Sequence, residues 1–322
     1  MKLKTVLRGL QAWSGARPAP LSVSFEVTHL CNLACVYCDR HTPTPNEMTR
    51  EQALAALTEL CDLGLAHISF DGGEPLAHRH IDEFVDVVIG RGISVYMNTN
   101  GILIPRKLDV VRRVRKVKIS MDGPAPTHDL MRGKAAFDRA VRGADAARDA
   151  GVAVELTCVV GSHNVHAVEA ILDTAERLGY PIVFQPARPS LFLDTGRDGT
   201  AFVADRDAIR AAFARIAARK RSSPHVANGW ASLRHFAQFP DDVGLPCAAG
   251  WINCTMDPDG NLYHCGQVNR GDTSHNVVRL GVKAAFEGLE RKGCGQCWCA
   301  RVVEENVAWG LRVNRMLPIA RS

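Results

Sequence analysis

Little of this sequence is aromatic, and none of it is a long apolar run. Phe, Trp and Tyr make up 6% of the 322 residues. No basic run is threaded with aromatics, so the stacking platforms of nucleic-acid binders are missing and no nucleic-acid partner is expected. No stretch of about 18 apolar residues occurs, which excludes a transmembrane helix. The first residues, MKLKTVLRGLQAW, lack the apolar stretch and small-residue cleavage site of a signal peptide. Lys2, Lys4 and Arg8 are interleaved there with Leu3, Val6, Leu7 and Leu10. That pattern allows peripheral membrane contact, but a short helix packed on its own domain is the plainer expectation. A cytoplasmic protein follows. Neither sign of charge dominates: 39 basic and 34 acidic residues leave +5, compatible with an anionic small substrate. Internal repeats and low-complexity tracts are also missing.

What is present is a large apolar fraction, 46%, enough for a sizeable core, and eleven cysteines, nine of them in two groups. Three lie at 31–38 and six between 247 and 299. A disulfide scaffold suits a small secreted chain, so the two groups read as metal sites. Cys61, on an apolar helix stripe, and Cys158, in a strand-like run, read as small core residues.

Strands and helices alternate over about 165 residues. Residues 21–28, AHISF, ISVYMNTNG, VRKVKISMDG, VAVELTCVV and PIVFQPA read as strands. Helices are expected over 49–63, capped by Thr49, over 79–90, in AAFDRAVRGADAARDAG and in HAVEAILDTAERLG. This is the pattern of a parallel sheet with helices outside it. Polar residues recur at strand C-termini: Cys31, Gly72–Glu74, Asn98–Asn100, Ser120–Asp122 and Gln185. Parallel β/α folds place their sites on that face. Six such units make a partial barrel, with a doubly wound open sheet as the alternative. A helix over 204–220 and a mixed segment follow. The expected organisation is a helical segment at 1–20, a core at 21–186, a connection at 187–246 and a cysteine-rich domain with a final helix at 247–322.

The stretch THLCNLACVYCDRH sets Cys31, Cys35 and Cys38 in one loop. A structural zinc site needs four ligands, and no fourth cysteine follows at knuckle spacing, although His29 and His41 are near. A cubane held by three cysteines leaves one iron open. CNLACVYC resembles the CxxxCxxC motif of the radical S-adenosylmethionine enzymes. The resemblance implies a partial (β/α)6 barrel, a [4Fe–4S] cluster on Cys31, Cys35 and Cys38 with an open iron, and S-adenosylmethionine as cofactor. It also implies cofactor contacts from GGEP (Gly72, Gly73, Glu74), from NTNG (Asn98), from SMDG (Ser120, Asp122) and from Tyr37 and Arg132. An Arg fork suits a cofactor carboxylate. These motifs cover residues 22–186 in family order.

In the tail, Cys247 and Cys265 flank DPDGNLY, where Asp259–Gly260 suggests a type I′ hairpin. Cys294 and Cys297 form a CxxC. Four thiolates suit zinc or a cluster equally. The spacing of Cys247, Gly260 and Cys265 resembles the opening of the SPASM extension, whose long final cysteine run is missing here. The tail therefore resembles the shorter twitch version, a small extension with one auxiliary [4Fe–4S] cluster. Cys254 and Cys299 are alternative ligands.

The resemblance implies reductive cleavage of S-adenosylmethionine to a 5′-deoxyadenosyl radical and hydrogen abstraction from a substrate. An auxiliary cluster favours a net oxidation in natural-product, peptide or cofactor biosynthesis. An epimerase or decarboxylase, with Cys254 or Cys299 as hydrogen donor, is the alternative. A zinc-stabilised binding module explains the tail but not the ordered motifs. A small-molecule or peptide substrate and an external electron donor such as flavodoxin or ferredoxin are implied. About 20 residues precede the first strand, so no fused leader-peptide domain is expected. Asp194, Asp198, Asp257 and Glu304 are acid–base candidates without a firm assignment. Trp298 and Trp309 either line a pocket or cover a cluster.

Overall fold

The computed structural model describes residues 7, 9, 11–12, 19–39, 46–189, 198–241, 244–267, 272–291 and 297–316, with side chains to 309. His41, Asp194 and Cys294 lie outside the described residues.

Six parallel strands come first: β1 (Ser22–Glu26), β2 (His67–Asp71), β3 (Ser94–Thr99), β4 (Lys116–Ser120), β5 (Ala153–Val160) and β6 (Ile182–Pro186). Helices α1 (Arg50–Asp62), α2 (Ile81–Ile89), α3 (Ala125–Arg132), α4 (Ala136–Asp149) and α5 (Val168–Leu178) run between them. Helices α6 (Arg206–Arg219) and α7 (Trp230–Phe236) follow, then β7 (Asn253–Met256), β8 (Leu262–Tyr263) and α8 (Ala300–Met316). Among the described residues the sheet order is β6-β5-β4-β3-β2-β1-β7-β8. The order of the first six never reverses, as it must in a doubly wound sheet. The fold is an open, partial β/α barrel.

Each strand carries two kinds of side chain, because successive residues face opposite sides. One face presents Val23, Phe25, Ile68, Phe70, Val95, Met97, Val117, Ile119, Leu156 and Phe184, all buried in the main core. Phe25 packs against Phe70 and Phe84, with centroids 6.2 and 6.3 Å away. Fully burying a Phe ring contributes roughly 1.5–3 kcal/mol. Thr49 caps α1 in a capping box with Gln52, a device that stabilises by about 1 kcal/mol. The other face is polar and surrounds the lumen.

The tail joins the same sheet: β7 pairs in parallel with β1, Ser22 opposite Asn253. The β7–β8 turn differs from the expected type I′. Gly260 has φ +85°, but Asp259 does not share a positive φ, and the Gly260 N–H donates to Asp257 O at 3.1 Å. The central pair of the turn is therefore Pro258–Asp259 rather than Asp259–Gly260, and the Pro258 ring fixes φ negative, as the first central position of a type I turn requires. Helix α3, in the polar stretch APTHDLMR, was not expected from periodicity; Pro124 stands at its N-cap. At the start of the chain, a Cβ on Gly9 would come within 1.7 Å of the Trp309 ring, and Ala12 is fully buried. Gly9 and Ala12 thus pack on the rest of the fold. No helix among the described residues is long and apolar enough to cross a membrane.

Candidate active site

The loop after β1 carries Cys31, Cys35 and Cys38, and the backbone after β2 holds it. The N–H groups of Gly73 and Glu74 donate to Thr28 O and Leu30 O at 2.8 and 2.9 Å. A Cβ on Gly72 would meet Thr28 O at 2.6 Å, and one on Gly73 would meet Leu30 O at 2.4 Å. Only glycine allows this approach, and Gly72 also has φ +122°. Asn100 Nδ2 donates to Asn32 Oδ1 at 2.8 Å, and Val36 N–H to Met131 O at 3.0 Å. The loop is therefore pinned from β2, β3 and α3. The base of the loop also meets the tail, where His29 lies 3.7 Å from Asp259 and Met48 N–H donates to Pro258 O.

The three thiols are near enough for their charges to interact. Burial pushes Cys31 up to about 11 and raises Cys35 as well. Bound metal would hold both as thiolates. Among the described residues no three Cys, His, Asp or Glu groups converge as a single ion requires. Three thiols spread over a short loop fit the larger cubane, and the described cysteines are thiols rather than disulfides.

Glu74 is fully buried. Its carboxylate accepts from the Thr99 hydroxyl at 2.7 Å, Asn100 N–H at 2.8 Å and Leu76 N–H at 3.1 Å. Burial pushes its pKa up to about 7 against these hydrogen bonds. Asp122 is also fully buried and gathers two other expected contacts. The Tyr37 hydroxyl and Arg132 Nε both donate to its Oδ2 at 2.6 Å. Burial alone would raise the Asp122 carboxyl, but the Arg132 guanidinium holds it below the usual range. Arg132 lies 5.5 Å over the Tyr37 ring, which stacks on His163. Asn98 donates to Asp71, and Ser120 lines the lumen.

The lumen is a cavity of about 580 Å³, within the roughly 300–1,000 Å³ range of small-ligand sites. Sequence reading missed most of its wall: Ser24, Glu26, Asp71, Lys118, Glu155 and Thr255. The signal was available in SVSFE, HISFD, KVKIS and AVELT, where polar residues alternate with apolar ones. Helix α8 closes the lumen. Glu305 accepts from Ser22 Oγ at 2.7 Å and Asn253 Nδ2 at 3.0 Å, and pairs with Arg301 at 3.2 Å. Glu304 accepts from Gly229 N–H at 2.6 Å, and Gln185 Oε1 from Ala300 N–H at 2.9 Å.

Cys247, Cys265, Cys297 and Cys299 pack together with Ala249 and Val302. Burial, then the charges of Cys299 and Cys247, pushes Cys265 up to about 12. Buried Asn306 clamps the site, donating to Cys297 Sγ at 3.4 Å and accepting from Ala248 N–H at 2.9 Å. Cys299 also lines the lumen. Cys254 stands apart, beside Val23 on the apolar face of the sheet and in the main core. Its neighbour Thr255 faces the lumen instead, so strand alternation removes Cys254 from this group. Cys158 is a core residue and Cys61 packs against the core. Trp298 stacks on His235 at 4.6 Å, and Trp309 packs on the initial segment. Asp257 accepts from Asn261 and Tyr263, which gives it a turn-forming role.

A cysteine loop at the C-terminal mouth of an open parallel barrel, above a polar lumen, defines a β/α-barrel protein built to hold a cluster beside a ligand. The sequence model of the radical SAM superfamily matches residues 25–175. Residues 25–175, just under half of the chain, thus carry a radical SAM domain, the domain of enzymes that use S-adenosylmethionine and a [4Fe–4S] cluster. The chain is 34% identical over 165 residues to an AdoMet-dependent heme synthase of Nitratidesulfovibrio vulgaris, matching 49% of this chain and 45% of that protein. The chain thus spans about half the length of that relative. It is 29% identical over 273 residues to the mycofactocin maturase MftC of Mycobacterium tuberculosis, covering 81% of this chain and 68% of that one. Among solved structures, anSMEcpe with bound AdoMet superposes with a TM-score of 0.67 at 20% identity, covering 83% and 80% of the two chains. Streptococcus suis SuiB bound to its precursor peptide SuiA superposes with a TM-score of 0.63 at 15% identity, covering 90% and 71%. These likenesses support the fold.

Proposed function

We propose that this protein is a radical S-adenosylmethionine enzyme that carries out an oxidative modification of a peptide or small molecule in a biosynthetic pathway. The observation that carries this reading is the three-cysteine loop held over a polar lumen by Gly72 and Gly73. When bound, the cluster and S-adenosylmethionine supply a 5′-deoxyadenosyl radical that removes a substrate hydrogen atom. Cys31, Cys35 and Cys38 are the proposed cluster ligands. Tyr37, Gly72, Gly73, Glu74, Asn98, Ser120, Asp122 and Arg132 are the proposed cofactor contacts. For Glu74, Asp122 and Arg132, the contacts within the chain support a positioning role: they fix the loop and the strand ends where the cofactor binds.

Cys247, Cys265 and Cys297, with Cys294 or Cys299, are the proposed ligands of one auxiliary [4Fe–4S] cluster beside the lumen. That location suits an acceptor for the electron left on a substrate. An external flavodoxin or ferredoxin is the proposed reductant. Peptide modification is favoured over tetrapyrrole chemistry because the maturase matches 81% of this chain and the heme synthase 49%. A second reading, with Cys299 as hydrogen donor for epimerisation or decarboxylation, rests on its place in the lumen wall.

Anaerobic reconstitution tests the proposal. Two cubanes predict about eight irons per chain; about four, with zinc in the tail, would remove the auxiliary cluster. Reductive cleavage of S-adenosylmethionine should vanish when Cys31, Cys35 and Cys38 are changed to Ala. Persistent cleavage in that variant sinks the assignment.

A further inference from the structure

The lumen holds polar atoms that no described residue satisfies. Thr255 is 1% exposed and its hydroxyl makes no hydrogen bond. Thr157 Oγ1 and Gln267 Oε1 are likewise buried and unmet. All three residues line the one cavity. Unmet buried donors and acceptors are costly and rare in folded proteins. Three around one cavity mark where the polar atoms of a ligand belong.

The charges of the wall are sorted as well. Strand β4 aims Lys116 and Lys118 inward, and β5 answers with one carboxylate. Glu155 lies 2.7 Å from Lys116 and 3.7 Å from Lys118. Two ammonium groups therefore share one anion, and Lys118 holds the longer, weaker contact. Carboxylates stand across the sheet, where Glu26 pairs in register with Asp71. Asp71 is engaged by Ser24, Ser69 and Asn98, and Glu305 by Arg301, Ser22 and Asn253. The lining as a whole is acidic, with Glu26, Asp71, Glu155, Glu304 and Glu305 against Lys116, Lys118 and Arg301, and β4 is where two cations face a single carboxylate. Among the described lining residues Tyr96 alone is aromatic, so a flat macrocycle finds little surface to stack on.

We propose that the lumen selects a carboxylate-bearing, amide-like substrate group. Its acid is held by Lys118 at β4, and its hydrogen-bonding atoms are read by Thr157, Thr255 and Gln267. This rests on the radical-enzyme reading above and narrows its substrate class. A peptide acidic side chain and a free amino acid share this chemistry.

The test uses reconstituted protein with S-adenosylmethionine present. Four probes are compared by thermal stabilisation and equilibrium dialysis. They are an acetylated, amidated tripeptide with a central glutamate, the same peptide with glutamine, free glutamate, and coproporphyrin III. The acid tripeptide should bind at least about tenfold more tightly than its glutamine twin, the ratio expected for a charge-assisted hydrogen bond. Lys118→Met should bring the two peptides level. Thr255→Val should weaken both while raising the melting temperature of the protein without peptide, because it removes an unmet hydroxyl. Free glutamate matching the tripeptide supports the acid-bearing class and assigns a small-molecule source. Equal binding of the acid and glutamine peptides to wild type overturns the proposal. So does discrimination retained by Lys118→Met, no stabilisation by any acid probe, or coproporphyrin III binding in their place. Formation of 5′-deoxyadenosine without substrate is measured in parallel. Its absence counts against the radical-enzyme reading, while the binding data decide the lumen assignment.

Discussion

At Asp122 the side chains of Tyr37 and Arg132 meet inside the protein, and at Glu74 two donors from β3 and the following turn converge with Leu76 N–H from the segment after β2. Each carboxylate is buried, yet they differ in character. Asp122 has a guanidinium in contact and stays ionised; Glu74 has only neutral donors, and burial lifts it toward neutrality. The sign of the consequence is set by the lift. Folded Glu74 holds its proton more tightly than the unfolded chain, from an ordinary 4.5 up to about 7. The stability it contributes is complete below about pH 4.5 and is lost as pH rises through about 7. Glu74→Gln should flatten that decline. Denaturant midpoints of the cluster-free protein at pH 5 and pH 8 check this, and a variant with the wild-type slope would refute it.

At the scale of elements, the working part is a pair of strand ends rather than any single motif. The segment after β2 continues the β1–β2 ladder into the cysteine loop, which places Gly73 within contact of Leu30 O. Gly73→Ala should displace that carbonyl, at a cost of about 1–3 kcal/mol or more, and release bound iron. Gly133→Ala, where a Cβ meets nothing within 4 Å although φ is +107°, is the comparison that isolates the contact from backbone strain. Iron retained equally in both would dismiss the contact. These strand ends were legible in the sequence because glycines, cysteines and polar loops follow apolar runs. The lumen was read only at the strand ends, Gly72, Asn98, Ser120 and Gln185, since KVKIS and HISFD read simply as strands and their polar alternates went unused. Cys254 could not be separated from Cys265 by spacing. What separates them is that Cys254 faces the apolar core from β7, whereas Cys265, beyond β8, packs with Cys247, Cys297 and Cys299.

Across the whole molecule, the cysteine-rich tail completes the barrel rather than hanging from it. Helix α8 closes the lumen through Glu305, and β7 covers the flank of β1 that β2 leaves bare. That adjacency carries a consequence for how the chain is made. Asn253 leaves the ribosome about 230 residues after its partner Ser22. Until then β1 presents an unpaired, parallel-pairing edge, a template for association with other chains. Contacts this distant in sequence are also slow to form. A chain stopped after Pro246 should therefore aggregate when expressed, even though it keeps all three cysteines of the first loop. A monodisperse, soluble product by size-exclusion chromatography would contradict this. Synthesis thus imposes a waiting period, during which one side of β1 stays open until the last quarter of these 322 residues arrives.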